Sequence, residues 1–267
     1  FQPSELMKII VPMTIAAILS EKTLPPRPLP VAISMLAIGL VVLLIARQPD
    51  LGTSLLIGAS GVYVLFFSGV RVMLLKNKWL NLLLLSSLLG GSLFLAWNYF
   101  LIAYQKRRIL TLFNPESDPL GSGYHIIQSK IAIGSGGFTG KGITKGSQSQ
   151  LDFVPEQSTD FIFSVLAEEL GFLGVLLLII IYSLIIYRCL ILSLRCEDNF
   201  SRLLGASLTF VFFTYIFVNI GMVSGLLPVV GVPLPLISYG GSSLITLMAS
   251  FGIIMSIHKH KGPRYLQ

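Results

Sequence analysis

The residue best suited to chemistry in this sequence is Asp160, in the polar run Pro155-Glu156-Gln157-Ser158-Thr159-Asp160-Phe161. This run closes a long polar stretch, residues 101–161, and the chain becomes strongly apolar directly after it. A carboxylate where a chain enters the hydrocarbon of a bilayer is costly to desolvate, and such a residue calls for a functional explanation. Asp160 is therefore the leading candidate for a reactive group.

Glu5 and Lys8 form a second pair of ionisable residues inside an apolar stretch. On a helix, residues three apart lie on neighbouring positions of one face. One interpretation is a local ion pair that lowers the cost of burial. The other is the polar wall of an outward-facing cavity, in which Lys8 would be available to a phosphate. The sequence leaves both open.

Further candidates lie in the loops. Asp50, in the very short turn before Leu51, is suited to cap the following helix, and a cap can also help to build a site. Lys106, Arg107 and Arg108 follow an apolar stretch. These basic residues either extend to lipid headgroups or hold an anionic substrate, because arginine binds phosphate in a bidentate way.

Composition indicates the class of protein that positions these residues. The chain has 267 residues, is 54% hydrophobic and only 12% charged, and has a mean hydropathy of +0.81. Soluble domains are about 25% charged. We predict an all-α polytopic membrane protein with a single membrane domain over residues 1–267. Apolar stretches of about 17–25 residues predict seven spans, near 4–20, 30–46, 51–69, 79–100, 162–187, 203–223 and 237–257.

Basic residues in the short loops predict the orientation of the spans, because cytoplasmic loops are enriched in Lys and Arg. If the spans alternate, the loops on one side carry most of these residues, and the C-terminus lies on that side, in the cytoplasm. The long loop 101–161 then faces outward with the candidate site. The net charge of +7 is mainly an orientation signal, and nucleic-acid binding is not expected.

A glycine-rich segment, residues 134–142, has the look of a phosphate-binding loop. The P-loop pattern requires Gly at position 135 and Ser or Thr at position 142, where this chain has Ser135 and Gly142. We therefore interpret it as a flexible surface segment. The residues just before it, which include Lys130, suit a short helix at the membrane surface.

Two features accompany the last three spans. Glu168 and Glu169 lie inside the fifth span; one of them can face a cavity, but a buried carboxylate bonded to a neighbouring helix is the favoured interpretation. Prolines and glycines in 225–243 predict broken or re-entrant backbone, which is tolerated at membrane depth only against protein or a water-filled cavity. Cysteines and histidines show no metal-binding spacing, so no metal site is predicted.

The motifs together resemble the SEDS family. They cover nearly the whole chain in family order, and they look closer to the elongation branch than to the division branch. The matching segments are FQPSELMK (1–8), QPDLGTS (48–54), YQKRRIL (104–110), PESDPLGSGYHIIQSKIAIGSGG (115–137), GKGITKGSQSQL (140–151), VPEQSTDFIFSVLAEELG (154–171) and GLLPVVGVPLPLISYGGSS (225–243).

The resemblance implies a ten-span fold, of which this chain would supply the last seven spans. The part that this expectation places upstream includes an outer loop with an Arg-Trp pair that the family uses near its site. A second departure is Asn114, where the family usually has Asp before Pro-Glu; in a turn this is a mild change.

The resemblance also implies an activity. Family members are peptidoglycan glycosyltransferases that polymerise lipid II, a disaccharide-pentapeptide on undecaprenyl diphosphate, on the outer face of the bacterial plasma membrane. The family works with a class B penicillin-binding protein and, in this branch, with the elongation machinery. The family's essential aspartate corresponds to Asp160. Its other site residues correspond to Glu5, Lys8, Asp50 and Arg108, and we add Lys130 as a substrate-binding candidate.

The chemistry fits this implied activity. A carboxylate can act as general base for a sugar hydroxyl, which is the role expected of Asp160. The leaving lipid diphosphate needs cationic partners, for which Lys8 and Arg108 are candidates, with Glu5 and Asp50 positioning them. No cofactor is predicted, and assistance by a divalent cation stays open.

Two other functions compete with this one. A flippase for the lipid precursor would suit many spans and broken helices, but its path should carry polar groups across the full depth of the membrane. A scaffold that only recruits a penicillin-binding protein would not need Asp160. Substituting Asp160 distinguishes an enzyme from a scaffold.

Overall fold

The computed structural model describes residues 2–20, 24–48, 50–70, 86–87, 90–91, 94–118, 121–150, 156 and 158–259. Over these residues the chain is helical, with no strand. A π-helix at Ala96–Phe100 and a 3-10 helix at Pro115–Ser117 accompany the α-helices. The α-helices are α1 (Pro3–Ser20), α2 (Pro28–Ala46), α3 (Leu51–Phe67), α4 (Ala103–Phe113), α5 (Ser122–Gly136), α6 (Ser147–Gln150), α7 (Ile162–Leu194), α8 (Asn199–Val223) and α9 (Gly241–Lys259).

The helices begin where the sequence supplies starting signals. Pro28 occupies the first turn of α2, where its missing N–H is not needed. The Asp50 side chain caps α3 by accepting hydrogen bonds from the Thr53 backbone N–H at 3.0 Å and the Thr53 hydroxyl at 2.6 Å. Asp198 caps α8 in the same way through the Ser201 N–H. The predicted capping role of Asp50 is confirmed.

Over the described residues, helices cover most of each predicted span, but α3 ends at Phe67 instead of residue 69 and α9 begins at Gly241 instead of residue 237. Helices α1, α2, α7 and α8 are long and apolar enough to cross a bilayer, and α3 and the segment Gly241–Ile257 are shorter apolar helices. Half of the fourth predicted span, 79–100, lies outside the described residues. The fifth span is longer than predicted, because α7 continues to Leu194. Helix α7 also bends at Gly171, whose φ is 65°.

Helix α8 lies at the centre of the packing, in contact with α1, α3, α7 and α9. It approaches α3 closely enough for the Ser207 hydroxyl to donate to the Ser60 carbonyl oxygen at 2.7 Å. Helix α7 instead leaves many large apolar side chains exposed. The packing therefore centres on α8 and not on α7.

The glycine-rich segment lies at the surface, as predicted, but it is not a free loop, because its backbone is hydrogen-bonded to α7. It packs along the first part of α7, where the Lys141 N–H donates to the Glu168 carbonyl oxygen at 3.0 Å and the Phe172 N–H donates to the Gly137 carbonyl oxygen at 3.0 Å. Its glycines allow two backbones to touch, because a Cβ at Gly136 would collide with the Ala167 carbonyl oxygen. The glycine pattern alone does not indicate this packing role, because the partner backbone lies far along the chain.

Glu168 is fully buried beneath this segment. It accepts from the Lys141 ammonium at 2.6 Å, the Ser147 hydroxyl at 3.1 Å and the Gln148 N–H at 3.1 Å. The favoured interpretation of a buried, hydrogen-bonded carboxylate is confirmed, although these three partners come from the loop after α5 and from α6. The ion pair of Lys141 and Glu168 fastens the loop after α5 to α7.

Two glycines of α5 test the close contact with α7. A Cβ at Gly134 meets nothing within 4 Å, whereas one at Gly136 meets backbone. We expect Gly136→Ala to lower the free energy of unfolding by about 1–3 kcal/mol through overpacking. Gly134→Ala should be neutral or stabilising by up to about 1 kcal/mol, since alanine is the better helix former. Chemical unfolding in detergent micelles measures both, and equal effects would contradict the proposed contact.

Candidate active site

Asp160 lies in a tight turn that leads into α7. The Glu156 carbonyl oxygen accepts from the Thr159 N–H at 3.1 Å and the Phe161 N–H at 3.2 Å. The Thr159 hydroxyl also donates to the Glu156 carboxylate at 2.9 Å. Glu156 has a φ of 51°, so the turn is held in a conformation that side-chain-bearing residues seldom adopt. Asp160 is thus carried on a fixed turn.

A non-helical segment between α8 and α9 holds this turn from the other side. The Ser238 hydroxyl donates to the Thr159 carbonyl oxygen at 2.5 Å, and the Tyr239 N–H donates to the Ser158 carbonyl oxygen at 2.9 Å. From α8, the Asn219 side-chain amide donates to the Asp160 carbonyl oxygen at 2.8 Å. The broken backbone predicted for 225–243 is confirmed over its first part, because α9 begins only at Gly241.

Asp160 and Arg108 face the same cavity, which has a volume of about 500 Å³. Two residues distant in the sequence, one in α4 and one before α7, are thus brought together, as expected of a site. The described residues that line the cavity are Tyr104, Arg107, Arg108, Asp118, Gly121, Ser122, His125, Glu156, Asp160, Phe161, Val229 and Gly231.

The three consecutive basic residues of α4 have different environments. The Arg108 guanidinium lies 4.4 Å from the centre of the Tyr104 ring and donates to the Val229 carbonyl oxygen at 3.0 Å. Arg107 forms an ion pair with Asp118 at 2.8 Å while its side chain stays 67% exposed. Lys106 lies over the Trp97 ring. Only Arg108 is held in place while its charge stays unpaired with any carboxylate in the described part of the chain.

The cavity changes the protonation of two of its residues. Burial raises the pKa of the Asp160 carboxyl, the neighbouring Glu156 carboxylate raises it further, and Arg108 opposes both effects. Burial lowers the pKa of His125; Glu156 opposes that effect, Arg108 adds to it and Asp118 opposes it. A carboxylate with a raised pKa is a stronger base than an ordinary aspartate, and the lowered pKa of His125 favours the neutral form of its imidazole.

His125 and Glu156 are cavity residues that sequence reasoning did not single out. The His125 ring stacks on Phe161 with 5.6 Å between ring centres, which places it beside the Asp160 turn. A histidine in a surface helix carries no sequence signal for such a position. Glu156 belongs to the polar run around Asp160, and its closeness in sequence was the available signal.

Glu5 and Lys8 form a separate cluster. Lys8 donates to Glu5 at 2.5 Å and also contacts the Tyr215 hydroxyl, with only 4% and 9% of the Lys8 and Glu5 side chains exposed. Asp50 interacts with Lys8 electrostatically. The interpretation of Glu5 and Lys8 as a local ion pair is confirmed.

The segment around Val230 lies between this cluster and the cavity of Asp160. Val230 packs against Gly52 at the start of α3, where a Cβ would lie 2.7 Å from Cγ1 of Val230.

Lys8 lines a second, mainly apolar cavity of about 40 Å³ between α8 and α9. Lys130 is exposed, packs against Gly225 and lines neither of these cavities. The six predicted site residues therefore occupy three places.

Acidic, cysteine and histidine side chains form no cluster that could hold a metal ion within the described residues. The polar groups of the main cavity are instead suited to an anionic, hydroxyl-bearing ligand. Arg108 provides a positive charge, and Asp160 and His125 provide proton acceptors.

Comparison with known proteins shows which family this chain resembles. The sequence profile of the cell cycle proteins FtsW, RodA and SpoVE matches residues 1–262. Peptidoglycan glycosyltransferase MrdB (RodA) of Escherichia coli strain K12 is 52% identical over 261 residues, which are 98% of this chain and 69% of that protein. A probable peptidoglycan glycosyltransferase FtsW of Trichlorobacter lovleyi is 36% identical over 258 residues, 96% of this chain and 65% of that protein.

A solved structure shares the fold. It comes from work on how a peptidoglycan synthase complex coordinates polymerisation and crosslinking, and it superposes with a TM-score of 0.78 at 32% identity, covering 98% of this chain and 71% of that chain. Identity to MrdB exceeds identity to this FtsW, so the resemblance to the elongation branch is confirmed.

Proposed function

Because this chain belongs to the FtsW, RodA and SpoVE family, we propose that it is a peptidoglycan glycosyltransferase that polymerises lipid II on the outer face of the plasma membrane. Its relative MrdB, at 52% identity, is named a peptidoglycan glycosyltransferase. The observation that carries the mechanism is the single cavity that contains both Asp160 and Arg108.

In the proposed reaction, a sugar hydroxyl of the acceptor attacks the anomeric carbon of the donor. A new glycosidic C–O bond forms, and the bond from the anomeric carbon to the diphosphate oxygen breaks with its electron pair. Asp160 takes the proton of the attacking hydroxyl, and its raised pKa favours this transfer. The lipid diphosphate leaves as an anion.

Arg108 is the proposed electrostatic partner of the leaving diphosphate. Its guanidinium is held by the Val229 carbonyl oxygen and the Tyr104 ring, so no large reorganisation is needed when negative charge develops. Arg107 lies at the exposed side of the same cavity, where its ion pair with Asp118 fixes the start of α5. It is suited to guide an anionic substrate inward.

Glu5, Lys8, Asp50 and Lys130 stay proposed residues of the substrate site, but Glu5, Lys8 and Asp50 are proposed to act by positioning and not by direct contact. The ion pair of Glu5 and Lys8 is enclosed, and Gly52, beside Asp50, packs on the Val230 segment, which supports an indirect role for these three. They would hold the wall on which Arg108 and Asp160 depend. Lys130 would contact substrate only outside the main cavity.

The surroundings of the reaction follow from the family. The chain is a multi-pass inner-membrane protein with several apolar helices. We propose that its C-terminus is cytoplasmic, that its site is extracytoplasmic, and that it acts in cell elongation with a class B penicillin-binding protein. The similar structure that came from a peptidoglycan synthase complex supports a partner of that kind.

The proposed function is tested with the complete protein, purified with its penicillin-binding partner and reconstituted in vesicles with labelled lipid II. Glycan chains and movement of lipid II between leaflets are measured in the same preparation. We expect polymer without accelerated movement. Movement without polymer would replace the polymerase with a flippase, and neither activity would favour a scaffold.

A further inference from the structure

We infer that Asn219 is a positioning residue of this site, whose side-chain amide fixes the Asp160 carboxylate relative to the Arg108 guanidinium. The inference rests on the proposed function and deepens it. Asn219 lies in α8, the central helix, and is fully buried. It does not line the cavity, so its effect on the reaction would be exerted through other residues.

The amide nitrogen of Asn219 joins two segments that are remote in the sequence. Nδ2 donates to the Asp160 carbonyl oxygen at 2.8 Å and to the Val232 carbonyl oxygen at 2.7 Å. Both hydrogens of one amide group are thereby used. The turn that carries Asp160 and the non-helical segment after α8 are held at one point.

Arg108 is attached to the same non-helical segment, since its guanidinium donates to the Val229 carbonyl oxygen at 3.0 Å. Between the two attachment points lies Gly231, where a Cβ would be 3.4 Å from Oδ2 of Asp160. Residues 229–232 therefore form a common frame for the base and the cation. Asn219 is the group that ties the Asp160 side of this frame to α8.

The carbonyl oxygen of the Asn219 side chain indicates that a contribution to stability alone does not explain an asparagine at this position. Its Oδ1 atom is buried and accepts no hydrogen bond from the described part of the chain. An unsatisfied buried polar atom costs about 1–3 kcal/mol, and such groups in native folds call for an explanation. Fixing a reactive turn is an explanation that this geometry supports.

Loss of the two Asn219 hydrogen bonds has a consequence that loss of a merely structural hydrogen bond lacks. The charged groups that act on Asp160 are Glu156 in its own turn and Arg108 in α4. His125 of α5 stacks beside the turn, and burial lowers its pKa. Burial is the largest cause of the raised pKa of Asp160. A released turn would move toward water, and that pKa would fall toward its ordinary value.

The test compares Asn219→Leu with Ser207→Ala in the complete protein with its partner, using labelled lipid II. Ser207 is a matched control, because it is buried in the same helix and donates one hydrogen bond to Ser60. For Asn219→Leu we expect kcat to fall roughly 10- to 100-fold, as for a small misplacement of reacting groups. KM should stay within a few-fold, and the acid limb of the pH–rate profile should move to lower pH.

Ser207→Ala should keep the kcat and the acid limb of the wild type. A folded Asn219→Leu protein with wild-type kcat and acid limb would overturn the inference. If that variant does not fold, Asn219→Ser replaces it, with the same expectation and the same contradicting result.

Amide hydrogen exchange separates this inference from the proposed function. Faster exchange at Thr159 and Phe161 in the Asn219 variant, but not in Ser207→Ala, is expected whether or not the wild type polymerises lipid II. Unchanged exchange at these two amides would refute the positioning role of Asn219. Absence of polymer from the wild type would refute only the proposed function.

Discussion

Replacing Asp160 by asparagine should reduce lipid II polymerisation by at least about 100-fold, because a positioned general base contributes roughly 10²- to 10⁴-fold to a rate. Asparagine keeps the shape and the backbone contacts of Asp160 but cannot accept the proton. The Asn219 amide binds the backbone oxygen of residue 160, not its carboxylate. The fold around the turn should therefore survive the change.

Asp198→Asn is the matched control for this experiment. It makes the same chemical change at a helix cap far along the chain, where the Asp198 carboxylate accepts from Ser201, and asparagine caps helices about as well as aspartate. The control should polymerise like the wild type. Equal activity of Asp160→Asn and the wild type would move the general base elsewhere, and Glu5 would be the next carboxylate to test.

The second large effect concerns stability. We expect Lys8→Met to lower the free energy of unfolding by about 3–5 kcal/mol, because removing one partner of a buried ion pair leaves the other charge uncompensated. Here the remaining charge would be Glu5, whose side chain is only 9% exposed. Chemical unfolding in detergent micelles measures the loss.

Two further variants make this prediction specific. Glu5→Gln combined with Lys8→Met removes both charges and should recover a large part of the loss. Lys145→Met removes a charge from an exposed loop position and should change stability by less than about 0.5 kcal/mol. Similar losses for Lys8→Met and Lys145→Met would contradict a buried pair. Activity of the folded double variant would then show whether the pair also acts on the substrate.

Much of this arrangement was predictable from the sequence, because a membrane imposes simple rules. Hydrophobic length predicts spans, and helices α1, α2, α3, α7, α8 and α9 lie where apolar stretches were identified. The capping role of Asp50 and the ion pair of Glu5 and Lys8 follow from local spacing. Such features depend on residues a few positions apart, which share one helix or one turn.

Long-range placement was not predictable in the same way. The sequence assigned Glu5, Lys8, Asp50, Arg108 and Asp160 to one side of the membrane, but nothing local indicates that the Val230 segment separates two clusters. Gly136 and Gly140 are evident in the sequence. Their close contact with the α7 backbone is not, because the residues that they contact lie some thirty positions later. Asn219 and His125 carry no sequence signal that separates them from ordinary buried or surface residues.

The most direct test of the central claim is the pH dependence of single-turnover polymerisation for the wild type and Glu156→Gln. The base must be ionised, so the rate should rise with pH through the pKa of Asp160, which burial and Glu156 hold above the ordinary value of ~3.9. Glu156→Gln removes a negative charge that raises this pKa. It keeps an oxygen that can accept from the Thr159 hydroxyl.

We therefore predict that the acid limb moves to lower pH in Glu156→Gln, with little change in the plateau rate. An acid limb at the same pH in both proteins would contradict the account, because the ionisation that controls the rate would then belong to a group outside the electrostatic reach of Glu156.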